Sequence, residues 1–137
     1  MRIDEIIKLA KHIKVTYGSN PIDIANRIGV GIGYTNLNPK VYPAYTINTG
    51  KPMIILNNYF SNKSQNILAA HELGHALLHN DNYYNGFGDT RNSNEEFEAN
   101  LFAVTLLFNE DDFNVKFKNL SNYELKGLLD LNIEEVI

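Results

Sequence analysis

Apolar residues recur at helical spacing from the start of the chain. Ile3, Ile6, Ile7, Ala10 and Ile13 form one stripe while Lys8, Lys11 and Lys14 turn elsewhere. This predicts a helix on the core that ends near Tyr17-Gly18. Asn20-Pro21 then supplies a cap and a proline at the first helical position, with Asp23 in the opening turn. A second, short helix should run to about Ile28 and stop at Gly29. From there the period changes. Val30 to Thr35, Ala44 to Asn48 and Pro52 to Leu56 are short, rich in β-branched and aromatic residues, and separated by Asn-Pro and Thr-Gly turn signals. Residues 47–52 read as a hairpin turn. The simplest arrangement is a small antiparallel three-stranded sheet whose last strand leads into the next helix. Tyr42 and Tyr45 read as packing on its faces.

Helical spacing returns over Ile67 to His79, with Ser61 or Ser64 as the cap. Gly74 inside this helix costs about 1 kcal/mol relative to alanine, which points to close approach by a neighbouring element or ligand. Residues 80–94 form a polar stretch dense in Asn and Gly, of a length at which loops tend to be functional or mobile. Tyr83, Tyr84 and Arg91 within it read as solvated residues before they read as contacts to a substrate or an oxyanion. A further helix, roughly Asn94 to Phe108, is apolar nearly all round and so buried. Its acidic start favours the positive end of the helix dipole. Asp111 and Asp112 read as a solvated connector. Ser121-Asn-Tyr-Glu124 is a capping box that opens a final helix with Leu125, Leu128 and Leu129 inward. The expected architecture is α+β, a single domain over residues 1–137.

Composition narrows the function classes. The 137 residues suffice for one domain that buries about two-thirds of its unfolded surface. An apolar content of 44% with 20% charged residues is that of a soluble globular protein, and a net charge of −4 lacks the basic footprint of a nucleic-acid binder. The Pro-x-Asp-Ile-Ala segment at Pro21 could open a helix-turn-helix, but Gly31-Ile-Gly33 follows where a recognition helix would have to form. With no cysteine, a metal would have to be held by histidine and carboxylate. Charges within the first residues argue against a signal peptide, and no window reaches the length of a membrane span, so the expected location is the cytoplasm.

The candidate chemistry lies on the helix through Ile67, which carries His71, Glu72 and His75 as H-E-x-x-H. Residues four apart on a helix differ by about 40° in azimuth and about 6 Å in rise, so the two imidazoles can grip one ion from a single face. Glu72 sits about 100° round, where its carboxylate reaches a metal-bound water instead of the metal. That is the division of labour in zinc proteases. His79 is about 12 Å along the axis from His71, too far to share an ion with it, and packs against or tunes the site.

A catalytic zinc needs a third protein ligand and one open position. The metzincin continuation H-E-x-x-H-x-x-G-x-x-H fails here, because Leu78 and Asp81 stand where its glycine and last histidine would be. The gluzincin plan places a glutamate on a second helix, and Glu95, Glu96 and Glu98 are all candidates. The residues resemble the ImmA/IrrE metallopeptidases of bacteria and their mobile elements. The likeness rests on His71-Glu-Leu-Gly-His-Ala-Leu-Leu-His79 followed by Glu96-Phe-Glu-Ala-Asn-Leu-Phe-Ala-Val-Thr-Leu-Leu107, and it extends over the preceding helices and strands. It implies His71, His75 and Glu96 as metal ligands and Glu72 as general base. Asn100 shares a face with Glu96 and could hydrogen-bond a ligating imidazole, whereas Glu98 lies about 200° round from Glu96. Two departures bear on substrate contacts: Phe108-Asn-Glu-Asp replaces the family's Met-Pro, and the part after it is short.

The resemblance implies a zinc-dependent endopeptidase, with manganese also compatible with the ligands. It also implies a helix-turn-helix repressor of a prophage, mobile element or stress regulon as the substrate. The chain would be a monomer with no direct nucleic-acid or membrane contact. The alternative is a protease-like module that binds a repressor or antitoxin without cutting it, for which Glu72 would be dispensable.

Overall fold

The computed structural model describes residues 2–38, 43–48, 50–79 and 92–133. Chain order is α1 (Arg2–Tyr17), α2 (Pro21–Ile28), β1 (Gly31–Thr35), β2 (Ala44–Asn48), β3 (Pro52–Asn57), α3 (Asn62–Leu78), α4 (Ser93–Leu107) and α5 (Asn122–Asp130). The fold is α+β, as the hydrophobic pattern predicts. Helix ends follow local side-chain chemistry. The Asn20 side chain accepts the Asp23 N–H at the start of α2, and Gly29 closes that helix in the left-handed region at φ 87°. Ser61, the first of the two candidate caps, accepts the Ser64 N–H at the start of α3. Capping boxes open α4 (Asn92 with Glu95) and α5 (Ser121 with Glu124). At the far end of α4, Lys14 of α1 donates to the Phe108 carbonyl and the Asn109 side chain, placing a cation on the negative end of the helix. Asp111 and Asp112 are exposed, within a short 3-10 turn.

The sheet corrects one expectation. Its order is β1-β3-β2, and it is mixed: β2 pairs antiparallel with β3 from Ala44↔Leu56 to Asn48↔Pro52, but β1 runs parallel to β3 from Gly31↔Met53 to Thr35↔Asn57. Turn chemistry fixes where a chain bends and not which edge it returns to. β3 holds the apolar run Met53-Ile-Ile-Leu56, which suits a strand flanked on both sides. The β2–β3 hairpin occupies one edge of β3, so β1 takes the other, where its direction makes the pairing parallel.

The sheet packs on α3 through Ile54 and Leu56, which are fully buried. Behind α3 lies α4, whose Leu101, Phe102, Val104 and Leu106 are buried against α1 and α5 as well. Leu125 and Leu129 of α5 point into this core, and Leu128 is half-buried. Gly74 marks the closest approach of α3 to α4: a Cβ there would stand 3.1 Å from the Ala99 Cα, 3.2 Å from the Ala99 carbonyl oxygen and 3.3 Å from the Phe102 Cβ. Two of those neighbours are backbone atoms of a helix buried on all sides and cannot move independently.

Gly74→Ala therefore sets about 1 kcal/mol of helix propensity against a forced separation of α3 and α4. The expected outcome is a net loss of stability, read as a lower Tm, together with weaker metal uptake. A raised Tm with unchanged metal affinity would show that the contact is not limiting.

Candidate metal centre

His71, Glu72 and His75 lie in the middle of α3, and Glu96 lies in the first turn of α4. The Gly74–Ala99 contact sets these two segments side by side. Glu96 Oε1 is 2.9 Å from His75 Nε2, Glu96 Oε2 is 3.2 Å from His71 Nε2, and the two Nε2 atoms are 3.2 Å apart. Donors bound tetrahedrally to one zinc at ordinary bond lengths sit roughly 3.3 Å from each other. With one ligand atom from each residue all within 4.8 Å of one another, these three residues could hold a metal ion.

The three acidic residues at the start of α4 have separate fates. Glu95 is taken by the capping box, its carboxylate accepting the Asn92 N–H. Glu96 faces the imidazoles. Glu98 points away from the triangle, where it accepts a hydrogen bond from His79 Nε2 at 2.8 Å and another from Arg2 Nε at 3.0 Å. His79 in turn places its Nδ1 2.9 Å from His75 Nδ1. Asn100 occupies the position its spacing implies: its Oδ1 accepts from His71 Nδ1 at 2.7 Å, while its amide donates to Asn122 Oδ1 at the start of α5. Because that oxygen can only accept, His71 carries a hydrogen on Nδ1, which leaves Nε2 as its ligand nitrogen on the side of Glu96.

Glu72 is buried beside the triangle. Thr46 of β2 donates to Glu72 Oε1 at 2.7 Å, which leaves Oε2 facing inward, 3.9 Å from His71 Nε2. A cavity of about 310 Å³ opens on His71, Glu72 and Glu96 and is walled by apolar Phe60, Ile67, Leu68 and Leu129. Thr46 and Arg2 are absent from the sequence reading, and no signal marks them. A threonine within a strand and an arginine in a first turn are both routine, and their partners are 26 and 96 residues away. Tyr42, Tyr83, Tyr84 and Arg91 lie outside the described residues.

The electrostatics agree with a site that draws a cation. Burial alone would raise the Glu96 carboxyl, but hydrogen bonds and charge from His71 and His75 hold it far below the usual carboxylate range. Burial would lower His71, yet the bond to Glu96, the charges of Glu72 and Glu96 and the bond to Asn100 raise it above 6.5. His79 goes the other way: burial lowers it, and the Glu98 bond does not compensate. Converging lone pairs and a carboxylate attract either a proton or a metal, and the two compete.

Residues 25–135 match the family described as the IrrE N-terminal-like domain, peptidase M78. A protein of Bacillus phage phi105 named "Uncharacterized immunity region protein 2" is 31% identical over 98 residues, which is 69% of this chain. The chain spans 62% of that relative's length. No solved structure matches the chain.

The raised His71 pKa gives metal binding a sign with pH. Below that pKa the metal-free protein holds a proton on His71 that a metal must expel, so apparent affinity for zinc should climb by about tenfold per pH unit and level off above it. Calorimetry in buffers of different ionisation enthalpy should register about one proton released at pH 6. Affinity that is flat between pH 5.5 and 8 would contradict this assignment.

Proposed function

The chain belongs to the peptidase M78 family of IrrE N-terminal-like domains, and on that premise we propose that it is a zinc-dependent endopeptidase acting on a helix-turn-helix repressor. His71, His75 and Glu96 would hold the metal, with manganese compatible with the same donors. A zinc ion bound there supplies Lewis acidity, polarising a scissile carbonyl and bringing the pKa of bound water toward neutrality.

The chain's own residues do the rest. Thr46 anchors one oxygen of Glu72, so the other keeps a fixed bearing on the reacting centre. From there Glu72 takes the proton of the attacking water and returns it to the leaving amide nitrogen. Strand β2, which carries Thr46, is an edge of the sheet. An extended substrate segment can add to such an edge as a further strand, which brings its backbone past Glu72. The apolar walls of the adjoining cavity suit a hydrophobic side chain next to the scissile bond.

The observation that carries this reading is the convergence of three ligand atoms from two helices, with a buried and tethered glutamate at their side. The repressor as substrate rests on the family resemblance, and it is supported by a relative named as a phage immunity region protein. A cytoplasmic location is part of the same proposal, since such a repressor works there. Among the described residues no helix is long and apolar enough to cross a membrane. The competing reading, a module that binds its target without cleavage, leaves the Thr46–Glu72 arrangement without a purpose.

The test is incubation of the zinc-loaded protein with the repressor encoded beside it, followed by mass spectrometry of the products. Glu72→Gln should bind zinc as the parent does and lose about 10²–10⁴-fold in cleavage rate. Cleavage by Glu72→Gln at the parental rate would exclude Glu72 as the base. No cleavage by either form, with tight binding of the repressor by both, would favour the binding module.

A further inference from the structure

His79 and Glu98 are both buried, at 4% and 7% exposure, and the proposed peptidase chemistry uses neither. An imidazole and a carboxylate placed in a core without compensating bonds are costly, so their retention calls for partners. Those partners are aligned. Arg2 Nε donates to Glu98 Oε2 at 3.0 Å, His79 Nε2 is 2.8 Å from Glu98 Oε1, and His79 Nδ1 is 2.9 Å from His75 Nδ1. Arg2 also reaches the carbonyl of Leu78 at the end of α3, at 3.4 Å. One residue of α1 thereby touches both helices that supply the candidate ligands.

The direction of each bond follows from what each atom can do. A carboxylate only accepts, so His79 Nε2 carries the hydrogen of that bond. A neutral His79 then has its lone pair on Nδ1 and can only accept from His75. His75 must therefore bear a hydrogen on Nδ1, which leaves Nε2, 2.9 Å from Glu96 Oε1, as its ligand nitrogen for a metal. Asn100 sets His71 in the same tautomer by a different route. The two imidazoles are thus oriented independently, one by an amide and one through a second histidine.

We propose that Arg2, Glu98 and His79 form a positioning relay that orients His75 and fixes its tautomer for metal binding. The proposal rests on the metal-centre reading above. None of the three touches the triangle. Each acts through His75, by holding its ring plane and enriching its Nε2 as a donor. Arg2 is about half exposed, so solvent screens its contribution and it is the weakest member.

The test uses the whole chain and two readouts that do not involve proteolysis: zinc affinity by chelator competition, and the ¹⁵N shifts of the His75 ring by NMR. The relay predicts that His79→Leu weakens zinc binding by about 10–100-fold and that the fixed Nδ1–H signature of His75 is lost. Glu98→Gln retains an acceptor oxygen of the same reach without the charge, so it should recover part of what Glu98→Leu loses. Because Glu98→Gln is nearly isosteric, it keeps the test decisive should His79→Leu fail to fold. If the parent binds zinc tightly and Glu98→Gln and Glu98→Leu match it in affinity and in His75 shifts, the relay is wrong and the metal centre stands. A parent with no zinc affinity overturns the metal centre and the relay with it.

Discussion

Two helices can share one ion only if their backbones approach closely enough for short side chains to meet, and the Gly74–Ala99 contact meets that requirement. Without a side chain at 74, α3 lies directly on the Ala99 backbone of α4. That spacing brings Glu96 within 3.2 Å of both imidazoles. The surrounding core serves the same end. Sheet and α2 hold α3 from one side, while α1 and α5 hold α4 from the other. Neither helix can retreat without opening apolar interfaces on its far face, so the triangle inherits its rigidity from the whole hydrophobic core.

The polar groups around the triangle divide by direction. Glu96 and the two Nε2 atoms face inward. Outward-facing nitrogens are committed to Asn100 and to His79, and Thr46 commits one oxygen of Glu72. Each inner group thus has a single orientation, determined by a partner anchored elsewhere: Thr46 lies on β2, Asn100 bonds Asn122 of α5, and His79 bonds Glu98 of α4, which Arg2 of α1 holds. The proposed chemistry needs that arrangement, because an electrostatic site works best when nothing must reorganise as charge develops. It also explains why so many polar residues lie in the core of a chain this small.

Much of this was legible in the sequence where the signal is local. The caps at Asn20, Ser61 and Ser121 and the positive-φ stop at Gly29 are short-range patterns, and the H-E-x-x-H geometry is fixed by the helical repeat. Gly74 was legible because a glycine inside a strong helix needs a reason. The pairing of β1 was not, since the choice of edge depends on the whole layer and not on the turn. Glu95 and Glu96 both satisfy the helix dipole in the first turn of α4 and Glu98 lies deeper in its apolar body, so residues alone left the three in competition. Only the fold separates a cap, a triangle corner and a partner for His79. Thr46 and Arg2 lie beyond sequence reasoning for a similar reason, as their roles exist only once distant segments meet.

X-ray absorption at the zinc edge on the metal-loaded protein tests the central claim most directly. The account predicts one zinc per chain with two imidazole nitrogens, one carboxylate oxygen and one solvent oxygen at about 2.0–2.1 Å, and a Glu96→Ala variant that loses one oxygen from that shell. A shell with fewer than two imidazoles, or one that Glu96→Ala leaves unchanged, would contradict it.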